Sequence, residues 1–324
     1  MNYECVVKRL TADEIAIAAQ AIQEQPIQVG SVRLEVESAV VDLAQISPSP
    51  ADEGWKRPNW GSLAGRVIET SQDSADLQPG ERISVIGPVE RHVVIPARAC
   101  VRAPGDLSTD ETAYWALVTA LVRSIRQMRI EIGEAVLVVG DGLCSYFSAQ
   151  LALRAGASVV VGLGNNHSPV ADPDTGTRLP YLSPIWVAEE EAARQVIPSG
   201  EADVLLDVSN DLTRLSSVLP LVRESGRALI LATGDTALVD FNFYSDIHRR
   251  SLAVTGSALS KVNVHQNPSM NETRESQFIQ HLLKQTEFNS ACRAANRVSL
   301  KPTIEQTVAT CGLSLIAQWN DPTS

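Results

Sequence analysis

The chain has 324 residues, 44% hydrophobic and 20% charged, a globular composition long enough for two domains with sizeable cores. A net charge of −11 and a pI near 5.0 argue against a nucleic-acid or anionic-membrane surface. No apolar run approaches the ~20 residues of a membrane span, and Met1–Leu10 mixes Glu4, Lys8 and Arg9 among its apolar residues, unlike a signal peptide.

Residues 1–113 read as strand and turn, a small β-barrel-like domain. Gln28–Val40 alternates as a half-buried strand does, with Val32, Leu34 and Val36 set against Arg33, Glu35 and Glu37. Ser47–Pro58 reads as loop. Gly61–Glu69, the turn Gln78–Arg82 and Ile83–Ile86 give strand, turn, strand; His92–Pro96 is a further strand, and Ala103–Asp106 ends the region. The period then changes. Ser108 with Glu111 is a capping box opening a helix to Met128, with Ala113, Leu117, Ala120, Leu121 and Ile125 on a helical repeat.

Glu134–Val139 is a valine-rich strand, Gly140-Asp141-Gly142 a turn, Leu143–Arg154 a helix closed by Gly156, and Ser158–Val161 the next strand. This is the first half of a dinucleotide-binding βαβ unit. Its glycines let backbone approach a pyrophosphate, and the helix N-terminus offers N–H groups and a positive dipole end. Two features depart from the fingerprint: the third glycine is Ser145, and the acid expected about 20 residues on, which holds the adenosine ribose, is missing. Val204–Val208, Ala228–Ala232 and Leu252–Thr255 are later strands, with Leu212–Arg223 an intervening helix, so a parallel sheet is expected. Residues 258–324 carry no distinct pattern. The five scattered cysteines (Cys5, Cys100, Cys144, Cys292, Cys311) fit reduced thiols in the cytosol better than a disulfide framework or a zinc knuckle.

The order of these pieces resembles the medium-chain dehydrogenase/reductase superfamily over most of the chain. Three stretches carry the likeness: Leu63–Glu69 followed by Leu77–Ile83, Val93–Ala97 followed by Ala103–Ser108, and the glycine turn. The resemblance implies an α/β protein: a GroES-like β-barrel catalytic domain (1–113), a doubly wound parallel Rossmann domain (114–257), a return segment packing on the catalytic domain (258–324), and an active site in the cleft between domains. Where zinc-dependent members carry a cysteine and a Gly-His-Glu motif, this chain reads Ser38–Asp42 and Trp60–Gly65, and the four cysteines of the structural-zinc lobe are absent. The reading is therefore zinc-free, with no metal ligands. Quinone-reductase-like and enoyl-reductase-like enzymes are such branches, and Leu206–Ser209 with Asp240–Tyr244 is similar to the bacteriochlorophyllide dehydrogenase branch.

Carried onto this chain, the resemblance implies cofactor contacts from Gly140, Gly142, Leu143, Ser145, Gly164, Asn165, Asn166, Ser209, Thr233 and Gly256. Gly164 stands where the ribose acid normally sits. Its loss removes repulsion toward a 2′-phosphate, and Asn165, Asn166 and His167 then offer donors to it, so NADP(H) is the expected cofactor. A lost adenosine site is the competing reading, because Pro169, Pro173, Pro180 and Pro184 interrupt the next helix. The catalytic candidates are Asp42, Thr119 and His92. Asp42 is either a substrate contact or an exposed strand-end acid. Thr119 either sits beside the nicotinamide or bonds back to its own helix. His92 is a proton donor or a surface histidine. Tyr114 and Trp115 suit core packing, His248 reads as structural, and Cys144 lies at a helix N-terminus without the setting of a nucleophile.

The function these residues imply is a zinc-independent NADP(H)-dependent oxidoreductase acting on a small organic substrate: a conjugated alkene, a quinone or an activated ketone. The alternative is a divergent family member without redox turnover, binding a small molecule or partner or catalysing a non-redox biosynthetic step. No nucleic acid and no membrane are expected as partners, a cytoplasmic location is, and the family allows a homodimer paired through Rossmann sheet edges.

Overall fold

Gly30, at φ +75°, forces a turn in which the Ser31 N–H donates to the Gln28 carbonyl at 3.0 Å, so the first long strand starts three residues later than its alternation suggests. The computed structural model describes residues 2–10, 14–42, 54–74, 76–164, 184–209, 212–231, 241–259, 272–293, 295–301, 305–309 and 314–319. It divides into two compact units, Met1–Thr119 with Val262–Ser324, and Ala120–Lys261.

The first unit opens with β1 (Asn2–Arg9) antiparallel to β2 (Glu14–Ile22). Then comes β3 (Ser31–Asp42), which alternates between buried and half-buried residues through Glu37 and is covered on both faces from Ser38 to Asp42. β4 (Gly61–Thr70), β5 (Arg82–Gly87), β6 (His92–Pro96) and β7 (Val101–Arg102) follow. Pro88–Arg91 join β5 to β6. Leu34, Val36, Leu63, Ile83, Val85 and Val93 meet in one core, as their alternation requires. The capping box then forms. Ser108 donates to Glu111 Oε2 through its N–H at 2.8 Å and its Oγ at 2.7 Å, while the Glu111 N–H donates to Ser108 Oγ at 3.2 Å. It starts α1 (Thr109–Gln127), whose Tyr114, Trp115 and Leu117 are fully buried.

In the second unit, β8 (Ala135–Val139) is buried at every residue, as a central parallel strand should be. It leads into α2 (Gly142–Ala155), which the Gly156 N–H closes by bonding back to Ala152 and Leu153. β9 (Val159–Leu163), β10 (Ile185–Val187), α3 (Glu190–Val196), β11 (Ala202–Asp207), α4 (Leu215–Val218), β12 (Val222–Ile230) and β13 (Ala253–Gly256) complete it. The strands are all parallel, in the order β10-β9-β8-β11-β12-β13. The direction of winding reverses between β8 and β11, so strand ends there flank a crevice where ligands bind in such sheets. The helix expected over 212–223 shrinks to α4 with single turns on either side, because Pro220 has no N–H to continue it and Val222 already pairs in the sheet. β10 is too short to show a period in sequence. Its Trp186 lies across from Gly162, so close that a Cβ on that glycine would stand 2.0 Å from the indole.

The segment without a legible pattern returns to the first unit as α5 (Glu272–Lys284), α6 (Thr286–Arg293), β14 (Asn296–Leu300), β15 (Gln306–Ala309) and β16 (Ser314–Trp319). β16 pairs antiparallel with β3 and parallel with β14, giving a sheet ordered β14-β16-β3-β4-β5-β7 with β6 on the start of β3. β15 adds to β2 in the three-stranded sheet. Among the described residues no helix is long and apolar enough to cross a membrane.

Candidate functional site

The ends of β8, β9 and β11 are tied together around the glycine turn. The Gly140 N–H donates to Leu163 at 3.1 Å, and the Val208 N–H donates to Val139 at 2.9 Å. β11 therefore passes so close that a Cβ on Gly140 would stand 2.9 Å from the Ser209 nitrogen and 3.0 Å from the Val208 carbonyl carbon. Gly140 also has φ +134°, a conformation open to glycine alone at little strain. Gly142, at φ +77°, then starts α2. Asp141 stands at the N-cap and makes no side-chain cap hydrogen bond to the first-turn N–H groups. A backbone cradle of this kind fits a pyrophosphate.

Ser145 meets the packing demand of the missing third glycine. It is 1% exposed, and its Oγ donates to the Gly142 carbonyl at 2.9 Å, so the additional atom stays within the helix. Leu143 is fully buried and supports the turn from below. Cys144 is buried as well, which withholds it from the solvent access a reactive thiol requires. Asp207, missed in sequence, is fully buried at the end of β11 and accepts from the Ser209 N–H at 3.0 Å and Oγ at 2.6 Å. The Ser209 N–H and Oγ thus both donate within the turn after β11. Gly256 ends the edge strand β13, with open space where a Cβ would be. Asn165, Asn166 and Thr233 lie outside the described residues, as does the proline-bearing stretch 168–183.

Gly164 comes directly against the turn. Its N–H donates to Val187 at 3.0 Å. A Cβ there would stand 2.3 Å from Asp141 Oδ1 and 2.7 Å from the Gly140 carbonyl oxygen. The place of the ribose acid is thus not empty: the carboxylate of Asp141 reaches it from the turn.

In the first unit, Asp42 is 3% exposed at the end of β3, which removes the exposed strand-end reading. It pairs in register with Ser314, whose Oγ shares a 3.1 Å hydrogen bond with Tyr114 OH. Burial pushes the Tyr114 phenol far up, so it stays protonated. Nearby, Asp110 accepts from Ser38 Oγ at 3.1 Å, Gln318 Nε2 at 3.0 Å and Arg297 Nε at 3.0 Å, binding α1 to β3, β14 and β16. Sequence gave no signal for Asp110 or Ser314, because their partners come from the return segment. Thr119 is corrected: its Oγ1 donates to the Trp115 carbonyl at 2.7 Å and it is 1% exposed, so the hydroxyl is spent on its own helix. His92 is corrected too. It pairs with Glu35, roughly 23 Å along β3 from Asp42, with its ring nitrogens 3.9 Å from Glu24 and Glu35 carboxylate oxygens. Burial lowers its pKa, helped by Arg91. Among the described residues no three His, Cys, Asp or Glu side chains gather as a metal site.

No family model matches the sequence. The chain is similar to D-guloside 3-dehydrogenase of Escherichia coli, 26% identical over 214 residues, which is 62% of this chain and 60% of that protein. The match therefore spans less than two thirds of the relative's length. In structure it is similar to alcohol dehydrogenase TADH from Thermus sp. ATN1, with a TM-score of 0.61 at 14% identity over 98% of this chain and 99% of that one. It is similar also to a Sinorhizobium meliloti protein assigned as a zinc-binding dehydrogenase and bound to NADP, with a TM-score of 0.57 at 17% identity over 97% of this chain and 99% of that one. The shared fold is an α/β one, with a sheet-rich unit and a parallel Rossmann-like unit.

Proposed function

We infer that this chain is a zinc-independent, nicotinamide-dependent oxidoreductase of the medium-chain dehydrogenase/reductase superfamily. The observation that carries the reading is the turn at Gly140, where a Cβ would strike the backbone of Val208 and Ser209 just past β11, at the crevice of a doubly wound sheet. Gly140, Gly142 and the first turn of α2 would hold the pyrophosphate, and the bound nicotinamide would give or take the hydride. At the end of β3, Asp42 would be the contact to a small organic substrate, and the fully buried Tyr114–Ser314 hydrogen bond would brace the strand pairing behind it.

Zinc independence rests on the residues where a ligand set would be. Ser38–Asp42 and Trp60–Gly65 offer the Asp42 carboxylate but no thiolate or imidazole. Without a metal to polarise a carbonyl, a conjugated alkene, a quinone or an activated ketone suits the site. The name of the Escherichia coli relative adds a secondary alcohol on a sugar derivative to these substrates. NADP(H) is favoured by the glycine at 164 and by the NADP in the Sinorhizobium meliloti protein. The Asp141 carboxylate beside Gly164 weighs against it. The free thiols of Cys5, Cys100, Cys144 and Cys292 suit a reducing, cytoplasmic setting, and the exposed edge of β13 suits a homodimer.

A second reading, a family member without redox turnover, is favoured by three departures from the fingerprint: Ser145, Gly164 and the prolines of 168–184. Calorimetric titration of the full chain with NADH and NADPH separates the two. Micromolar binding of either supports the oxidoreductase, and no binding of either at millimolar concentration overturns it. Zinc retained in equal proportion to protein after dialysis against a chelator overturns the zinc-free part alone.

A further inference from the structure

We propose that Asp141 supplies the carboxylate for the adenosine ribose, from the glycine turn rather than from the end of β9, and thereby selects NAD(H) over NADP(H). The inference rests on the oxidoreductase reading and deepens it.

The argument begins with two departures that look unrelated in sequence: a glycine where the ribose acid belongs, and an acid between the glycines of the turn. In space they are one feature. The side chain of any residue at position 164 would start 2.3 Å from Asp141 Oδ1 and 3.2 Å from its Cγ. A side chain at 164 would have to displace the Asp141 carboxylate from where it lies, so Gly164 leaves room for Asp141 in this position. The backbone allows no other arrangement nearby, because the same Cβ would stand 2.7 Å from the Gly140 carbonyl oxygen while hydrogen bonds from Gly140 to Leu163 and from Gly164 to Val187 pin the strand end.

Asp141 is also aimed away from the alternative use of an acid at this position. An N-cap aspartate ordinarily accepts from the second or third N–H of its helix. Here Asp141 has extended backbone, φ −108° and ψ 168°, and makes no such bond, so its carboxylate lies toward β9. The group is half-buried and reachable from solvent. A carboxylate there accepts charge-assisted hydrogen bonds from two vicinal hydroxyls. A phosphate on the 2′-oxygen replaces a donor by a dianion and places like charges in contact. The glycine at 164 thus ceases to be evidence for NADP(H).

The test is calorimetric titration of the full chain with NADH and NADPH, repeated on Asp141→Asn, which keeps the shape and removes the charge, and on Asp141→Ser, a smaller uncharged alternative. Far-ultraviolet circular dichroism and melting curves confirm that each variant is folded. The wild type is expected to bind NADH at least about tenfold more tightly than NADPH, and either variant to bring the ratio to within about threefold by weakening NADH and strengthening NADPH. Tighter NADPH in the wild type, or an unchanged ratio in a folded variant, overturns the role of Asp141 and leaves the oxidoreductase reading standing. Binding of neither dinucleotide by the wild type or the variants overturns both.

Discussion

At the end of β8 the structure is shaped by missing atoms, whereas at the end of β3 it is shaped by atoms that are present. Gly140 and Gly164 let three strand ends and one carboxylate converge. Asp110, Tyr114 and Ser314 hold the other region through hydrogen bonds, the Tyr114–Ser314 one buried and those of Asp110 to Ser38 and Arg297 part-buried and exposed, while Asp42 pairs in register with Ser314. The first should break when an atom is added and the second when one is removed.

Adding the methyl of Gly140→Ala has the largest expected effect. With φ +134° and a 2.9 Å approach to Ser209, it should lower stability by about 3 kcal/mol and abolish dinucleotide binding. Urea unfolding and calorimetry read these, and a folded variant that still binds breaks the contrast. Removing the carboxylate in Asp110→Ala strands Ser38, Gln318 and Arg297 and should lower stability by about 2 kcal/mol. Dinucleotide affinity should stay as it was, since the loss belongs to the other unit.

Next in size is a pH effect. Glu4 and Glu90 face each other across a β-bridge, and burial raises both pKa values, Glu90 further through the charge of Glu4. The folded state therefore holds protons that the unfolded chain has lost. The pair's contribution to stability is fully present below the ordinary glutamate range and is lost as pH rises through the raised values. Glu90→Gln should flatten that fall in urea melts across the window; an identical slope would show the pair to be uncoupled. Ser108→Ala, which removes the capping box, should lower stability by about 1 kcal/mol. Smallest is His92→Gln. It lies far from Asp42, so turnover should stay within about twofold of the wild type, as at surface positions remote from a site.

Much of the fold was legible because it follows local rules. The Ser108–Glu111 box, the valine run of β8 and the helix-closing Gly156 depend on neighbours a few residues away. The shortening of the 212–223 helix at Pro220 was not read, because the apolar pattern around it masked the proline. The return segment was not, because β14, β15 and β16 are strands only through pairing with β2, β3 and each other, and their own alternation is slight. The site divides the same way. Gly140 and Gly142 announce a turn by themselves. Thr119 and His92 look functional until Trp115 and Glu35 are seen beside them, and Asp141 looks incidental until Gly164 is. Single positions were readable, whereas relations between distant positions were not.

Trp186, pressed onto Gly162 one residue before the end of β9, has one more consequence. The other tryptophans, Trp55, Trp60, Trp115 and Trp319, all belong to the first unit, so Trp186 is the lone indole of the Ala120–Lys261 unit. With those four changed to phenylalanine, emission would come from the Rossmann sheet alone. Its lifetime and anisotropy would then time events at the strand ends separately from anything happening in the barrel, giving the protein a native optical clock for one half of itself.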